Sequence, residues 1–276
     1  MYELPEIMKQ NTWYVMDQSV TGIPLNPMAS FAMDDTLCEK IAGMPDTGIA
    51  RSWVHDNTVV LGIQDSRLPS MKEGRAFLEK EGYRVIVRNS GGLAVVLDPH
   101  VYNLSLLFPE SKALTIDKGY EAMTAFTREL LPELGEKIQD GEIAVSYCPG
   151  RYDLSVDGRK FAGISQRRIR GGIAVQIYLA VQKSGAERAG LIRRFYEKAA
   201  QGGPVKYHYP QIEPESMASL SEILGWELTN EELTRRILLA LKKQSGHLST
   251  LELSAEEQER FEYHLDRMEK RNERLY

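Results

Sequence analysis

SYCPGRYDLSVDGRKFAGISQRR, residues 146–168, sets a cysteine just before Pro149-Gly150 and a lysine just after Asp157-Gly158. Asp-Gly between two apolar runs is a strong hairpin signal, because the favoured two-residue turn needs positive φ at both central positions. Tyr152 to Val156 and Lys160 to Ile164 read as the two strands. The hairpin sets residues 148–155 beside 160–167, so Cys148 and Lys160 share one part of a sheet without having to touch. Upstream, Ile143 to Tyr147 reads as an apolar strand that ends at Cys148, and Pro149-Gly150 then places the thiol in a loop. Free cysteine is usually a buried residue. Cys38 fits that description, and Cys148 does not. Arg151, Arg159 and Lys160 are near it in sequence, and neighbouring cations favour the nucleophilic thiolate form. Lys160 has two readings, a charged residue protecting a sheet edge or a lysine aimed at the cysteine site. Arg167, Arg168 and Arg170 read either as a solvated face or as a surface for an acidic partner.

RNSGGLAVVLD, residues 88–98, is the second informative stretch. It follows a strand-like run, Tyr83 to Arg88, and leads into LAVVL. Paired glycines permit positive φ and close approach of a ligand to bare backbone, so their amides suit an anion or an acyl carbonyl. A plain turn is the other reading.

Around these motifs, Ser30 to Ile41 has helical spacing with Cys38 on its buried side. Ser30 reads as the N-cap, with Asp34 and Asp35 toward the positive end of the helix. Trp53 to Ile63 reads as a strand or hairpin, Lys72 to Glu81 as a helix ended by Gly82, and Lys118 to Leu131 as a helix. Gly172 to Val181 is a further strand, and Glu187 to Gln201 a helix closed by Gly202-Gly203. The Pro/Gly-rich GGPVKYHYPQIEP then reads as a connector. Only helices are expected beyond it, with capping-box patterns at Thr229/Glu232 and Ser254/Glu257. The chain is therefore read as α+β: a body over residues 1–203 and a small helical extension over 204–276.

A length of 276 residues suffices for one large core. With 42% hydrophobic and 26% charged residues the composition is that of a globular protein. A net charge of -5 argues against a nucleic-acid partner, which needs a basic surface. Two distant cysteines and five scattered histidines give neither a disulfide framework nor a metal-ligand cluster. The N-terminal run MYELPEIMKQNTWY lacks the apolar core of a signal peptide, and no run of about 18 apolar residues exists to span a membrane. A cytoplasmic location without membrane attachment is expected.

Taken together, Arg88-x-x-Gly91-Gly92 and Gly158-x-Lys160-Phe161-x-Gly163 resemble the two motifs of the lipoate-protein ligase, octanoyltransferase and biotin-ligase superfamily. The resemblance covers about residues 30–200. It implies a mixed, largely antiparallel sheet flanked by helices. It also implies an acyl pocket formed by Arg88, Ser90, Gly91, Gly92, Ala94, Gly163 and Ile164, with Cys148 and Lys160 catalytic. Tyr147-Cys148-Pro149-Gly150 and Ser165-Gln166-Arg167-Arg168 look closest to one Gram-positive branch. That branch moves octanoyl from a lysine of the glycine cleavage H protein to lysines of the E2 lipoyl domains of 2-oxoacid dehydrogenases. The resemblance implies a Cys148 thioester, with no cofactor or metal, and a monomer suits an enzyme that docks folded carriers. Many members carry a histidine in the strand after the double glycine. Here Leu97 and Asp98 stand near that place and His100 is displaced, so His100 receives no role.

Overall fold

The strand VYNLSLLFP (Val101–Pro109) is buried on both faces, Tyr102, Leu104, Leu106 and Phe108 giving one face that is apolar throughout while Asn103 and Ser105 interrupt the other. It lies inside an eight-stranded sheet. The structure is a computed structural model and describes residues 4–20 and 26–273, so the first three residues of the N-terminal run lie outside it. Its first half contains β1 (Gln10–Gln18), α1 (Pro27–Ile41), β2 (Thr47–Trp53), β3 (Thr58–Leu61), α2 (Met71–Lys80), β4 (Arg84–Val87), β5 (Val95–Leu97), β6 (Val101–Pro109) and α3 (Ile116–Leu130). The second half contains β7 (Gln139–Asp140), β8 (Leu154–Val156), β9 (Arg159–Ile169), β10 (Gly172–Ala180), α4 (Gly185–Ala199), α5 (Leu220–Leu224), α6 (Asn230–Lys243), β11 (Ser245–Thr250) and α7 (Ala255–Asn272). The main sheet has the order β11-β1-β2-β6-β10-β9-β8-β7, and a smaller one the order β4-β3-β5. In the main sheet only β1 with β2 and β1 with β11 are parallel, which gives the mixed, largely antiparallel α+β architecture expected.

Alternation along the central strands decides which layer each residue joins. Leu104, Leu106 and Phe108 of β6, with Ile173, Val175 and Ile177 of β10, share a core with Met123, Phe126 and Leu130 of α3. Leu107 and Ala174 turn to the opposite face and meet Leu37, Cys38 and Ile41 of α1. The smaller sheet packs with α2 and α4 in a third cluster, which reaches the cysteine loop.

Helix α1 starts earlier than its sequence pattern indicates. Asn26 Oδ1 accepts the Met28 N–H at 3.0 Å, so Asn26 is the cap and Ser30 lies inside the helix. Asp34 and Asp35 are accordingly buried beyond the first turn. Asp34 pairs with buried Arg51 at 2.8 Å, and Asp35 accepts two bonds from Arg167 at 2.7 and 3.0 Å. Arg167 thus belongs to an internal ion pair, whereas Arg170 is exposed.

Three other sequence expectations are corrected. Ile143 to Tyr147 forms no strand; its backbone is held by turns. Trp53 to Ile63 divides between β2 and β3, which belong to different sheets. The segment beyond residue 203 is not purely helical, since β11 pairs with β1 in the main sheet. SGHLST shows little apolar alternation because it is a partly exposed edge strand. The connector is not a free linker either. The Glu213 N–H donates to the Val145 carbonyl at 2.9 Å and the Ala218 N–H to the Lys160 carbonyl at 2.9 Å.

His55, between β2 and β3, is fully buried, and neither ring nitrogen has a hydrogen-bond partner among the described residues. Burial, aided by Arg51 and Arg84, depresses its pKa to about 3. The unfolded chain takes up this proton below about pH 6.5, while the native state resists until about pH 3, so stability falls with acidification across that window. Between pH 7 and pH 5 the loss from this group is about 2 kcal/mol. Urea unfolding of the wild type and His55→Asn at both pH values checks it, the substituted protein showing the smaller acid loss. Equal losses would exclude His55 as the source.

Candidate active site

Two loops meet above the sheet. The first joins β4 to β5. The Arg88 side chain folds back so that Nη2 donates to the Leu93 carbonyl at 2.6 Å and lies 3.4 Å from Cys148 Sγ. Gly92 has φ +101°, and a Cβ there would stand 2.3 Å from Arg88 Nη2 and 3.0 Å from Cys148 Sγ. A Cβ on Gly91 would meet no atom within 4 Å. Of the glycine pair, then, only Gly92 is required sterically. Gly92→Ala is expected to lower acyl transfer at least about a hundredfold, because it displaces both the guanidinium and the sulfur. Gly91→Ala is the control, and similar kinetics for the two variants would refute the distinction.

Gly62, at the end of β3, carries no sequence signal comparable to the double glycine. A Cβ there would come within 1.9 Å of the Gly92 carbonyl oxygen. Its N–H donates to Asp65 Oδ2 at 2.8 Å, and Asp65 Oδ1 accepts from Tyr196 and Tyr207, each at 2.9 Å. Burial pushes the Asp65 carboxyl up, and it raises both phenols. This cluster supports the glycine loop from below.

The second loop carries Cys148 and is fixed by the β8–β9 hairpin. Asp157 and Gly158 have φ of +50° and +73°, as the Asp-Gly signal requires, and Val156 pairs with Arg159. A bulge between Leu154 and Ser155 sets Ser155 opposite Lys160. The Lys160 side chain is buried. Its Nζ donates to the carbonyls of Tyr147 and Cys148, both at 2.9 Å, and lies 3.0 Å from Asp153 Oδ1 and 3.2 Å from Ser146 Oγ. Asp153 Oδ2 accepts the Gly150 N–H at 3.0 Å and the Ile143 N–H at 3.4 Å. Burial raises the Asp153 carboxyl, opposed by the Lys160 ammonium. The pair clamps the loop at both ends. Inside it Cys148 takes φ +44°, the left-handed region that costs an L-residue about 1–2 kcal/mol. Such strain persists where surrounding contacts over-determine it, commonly at functional sites.

The Leu93 N–H donates to Cys148 Sγ at 3.1 Å. With Arg88 on the same atom, the sulfur faces two donors placed where negative charge would develop. Beside it opens a cavity of about 270 Å³, just below the range of about 300–1,000 Å³ usual for small-molecule sites. Arg88, Ser90, Gly91, Gly92, Cys148, Gly163 and Ile164 line it. Ala94 and Lys160 do not: Ala94 is buried with its N–H 3.4 Å from the Tyr196 hydroxyl, and Lys160 lies behind the cysteine turn. Gly163 lets Tyr178 approach, since a Cβ there would stand 2.7 Å from that ring.

Sequence reasoning missed the apolar wall of Phe31, Trp53 and Leu97, and also Asn103, Gln176 and Tyr178. These come from five distant elements and carry no local pattern. Trp53 Nε1, Arg88 Nε and Ser90 Oγ are buried without a hydrogen-bond partner among the described residues, and all three residues line the cavity. Buried polar atoms of this kind call for a bound polar group or water. The site thus combines an apolar pocket, unfilled donors and a partly exposed thiol, which suits capture of an acyl group. Cys38 is fully buried, and burial raises its thiol, so it is chemically quiet. His100 bonds to Asp98 and Gln182 and does not line the cavity. Among the described residues no group of three or more His, Cys, Asp or Glu could hold a metal, and no helix is long and apolar enough to cross a membrane.

The fold is that of lipoate protein ligases. The ligase solved as part of a bipartite lipoylation system from Thermoplasma acidophilum superposes with a TM-score of 0.68 at 16% identity, covering 97% of each chain. A lipoate-protein ligase A solved with ATP gives 0.67 at 16% identity, covering 93% of this chain and 94% of the other. Residues 26–242 match the family model of the lipoyl protein ligase A/B catalytic domain, and the chain belongs to that family. A relative from Bacillus velezensis, named octanoyl-(GcvH):protein N-octanoyltransferase, is 54% identical over 98% of this chain and 96% of its own. A protein of the same name from Geobacillus kaustophilus is 51% identical, over 97% and 95%.

Proposed function

We propose that this chain is an N-octanoyltransferase of protein lipoylation. It takes octanoyl from octanoyl-lysine of the glycine cleavage H protein and delivers it to a lysine of E2 lipoyl domains. We place it in the cytoplasm and read it as a monomer. The observation that carries the reading is Cys148 Sγ at the mouth of an apolar cavity, facing the Leu93 N–H and the Arg88 guanidinium. Relatives about half identical over nearly their whole length carry the name of this reaction.

In the first step Cys148 Sγ attacks the amide carbonyl carbon of the donor. The C–N bond breaks, the thiol proton leaves with the donor amine, and a thioester forms. The acceptor amine then attacks that carbonyl, the C–S bond breaks, and the amine's proton returns to sulfur. Eight carbons in the pocket contribute roughly 0.8 kcal/mol per buried CH₂, so affinity needs no charge on the chain. A thioester lies uphill of both amides, so it accumulates little and carrier concentrations set the direction. For Lys160 we propose that the ammonium acts where it stands, on the carbonyl of the nucleophile's own residue. Shuttling a proton would require Nζ to leave these partners.

Intact mass spectrometry decides between donors. Octanoylated H protein is incubated with the enzyme and apo E2 domain without ATP. Octanoyl is expected to appear on E2. Transfer only from octanoyl-acyl carrier protein, or only from free octanoate with ATP, would overturn the assignment.

A further inference from the structure

Helix α7 lies beyond residue 242, where the family match ends, yet it closes on the strand that leads into Arg88. β4 is an edge strand of the smaller sheet. On its paired side the Arg88 N–H donates to the Leu61 carbonyl of β3 at 3.0 Å. On its open side an asparagine side chain takes the place of a neighbouring strand. Asn272 Oδ1 accepts the Val87 N–H at 2.7 Å, and Nδ2 donates to the Val87 carbonyl at 3.1 Å. The other Nδ2 hydrogen goes to the Met268 carbonyl at 2.8 Å, which fixes the amide's orientation.

α7 is highly charged, and its buried residues are His264, Met268 and Asn272, one stripe at four-residue steps. His264 Nε2 lies 3.0 Å from Glu39 of α1, and its Nδ1 lies 4.0 Å from Asp35. Asp35 in turn accepts from Asn89 Nδ2 at 2.9 Å. Arg88 is thus bracketed: α7 holds the residue before it, and α1, on which α7 rests, holds the residue after it.

We propose that Asn272 is a positioning residue for acyl transfer, fixing the backbone at Val87 so that the Arg88 guanidinium meets Cys148 Sγ and the Leu93 carbonyl. The inference rests on Cys148 as the acyl-bearing group. A cap that served only to seal a strand edge would leave the chemistry at Cys148 untouched.

The test compares full-length Asn272→Ala, Arg88→Ala and their combination in octanoyl transfer, with Glu262→Ala on the exposed face of α7 as control. Asn272→Ala is expected to lower kcat tenfold or more with KM for the carriers within twofold. It should add no further loss to Arg88→Ala, because both act through one contact. An unchanged kcat in folded Asn272→Ala, or a full additional tenfold loss in the combined variant, overturns the proposal. Should Asn272→Ala not fold, Asn272→Gln, which keeps both amide groups on a longer stem, is read the same way. Two readouts need no transfer at all: amide exchange over residues 89–93 and the rate of Cys148 alkylation by iodoacetamide. Both are expected to change in Asn272→Ala even if the wild type proves unable to move octanoyl, and constancy of both refutes the role of Asn272 alone.

Discussion

Cys148→Ala is expected to abolish octanoyl transfer, by more than about a thousandfold, without unfolding the protein. On the proposed covalent route, removing the nucleophile leaves only binding and electrostatic assistance, and losses of that size or larger are usual. The fold should survive because the side chain is partly exposed and its sulfur accepts only from Leu93 and Arg88 among the described residues. Cys148→Gly separates strain from chemistry. At φ +44° a glycine relieves the left-handed penalty, so this variant should be about 1 kcal/mol more stable than the wild type while equally inactive. Urea titration and the carrier assay together check it. Turnover above about one per cent in Cys148→Ala would end the covalent route, and a destabilised Cys148→Gly would mean that the left-handed turn is not strained.

The sequence made the hairpin and both motifs legible because each depends on local chemistry. Asp157-Gly158 demands positive φ twice, and the structure has it twice. The Arg88 and Gly92 positions follow from a turn that no side chain at Gly92 would permit. What stayed hidden depends on distance. Ile143 to Tyr147 is apolar like a strand, yet the Lys160–Asp153 pair captures its backbone in turns, a tertiary effect that alternation cannot report. The sequence pattern places the cap of α1 four residues late because Asp34 and Asp35 resemble first-turn acids. Their partners Arg51 and Arg167 are remote in the chain, so nothing local marks them as buried counter-ions. In the sequence alone β11 and the stripe of α7 resemble parts of a plain helical tail. Their value lies in what they touch, and Asn272 shows no motif until Val87 stands beside it. The hairpin makes the nearness of Lys160 to the cysteine loop legible, but not its direction toward the carbonyls of Tyr147 and Cys148.

That direction makes Lys160→Met the second large effect. The substitution leaves Asp153 as an uncompensated buried carboxylate, which costs about 3–5 kcal/mol. For a protein of this size each kcal/mol moves Tm by roughly 2–4 °C, so a fall of about 10 °C is expected. Transfer should drop at least about a hundredfold, since the Cys148 turn loses the group that holds its carbonyl. The pH dependence follows from Asp153. Burial already raises its folded carboxyl above the unfolded value, and without the ammonium it rises further. A raised carboxyl binds more protons folded than unfolded, so it detracts from stability increasingly as pH rises above the unfolded value near 3.8, until the folded group ionises. The stability gap between Lys160→Met and the wild type should therefore be widest near neutrality and narrow toward pH 4. Combining Lys160→Met with Asp153→Leu removes the stranded charge and should recover part of the stability. It should recover none of the transfer, because neither side chain then restrains the cysteine loop. If the combined variant regained transfer along with stability, the clamp would be dispensable. If Lys160→Met alone kept wild-type kcat, the left-handed Cys148 would have to be held by the glycine loop and the connector instead.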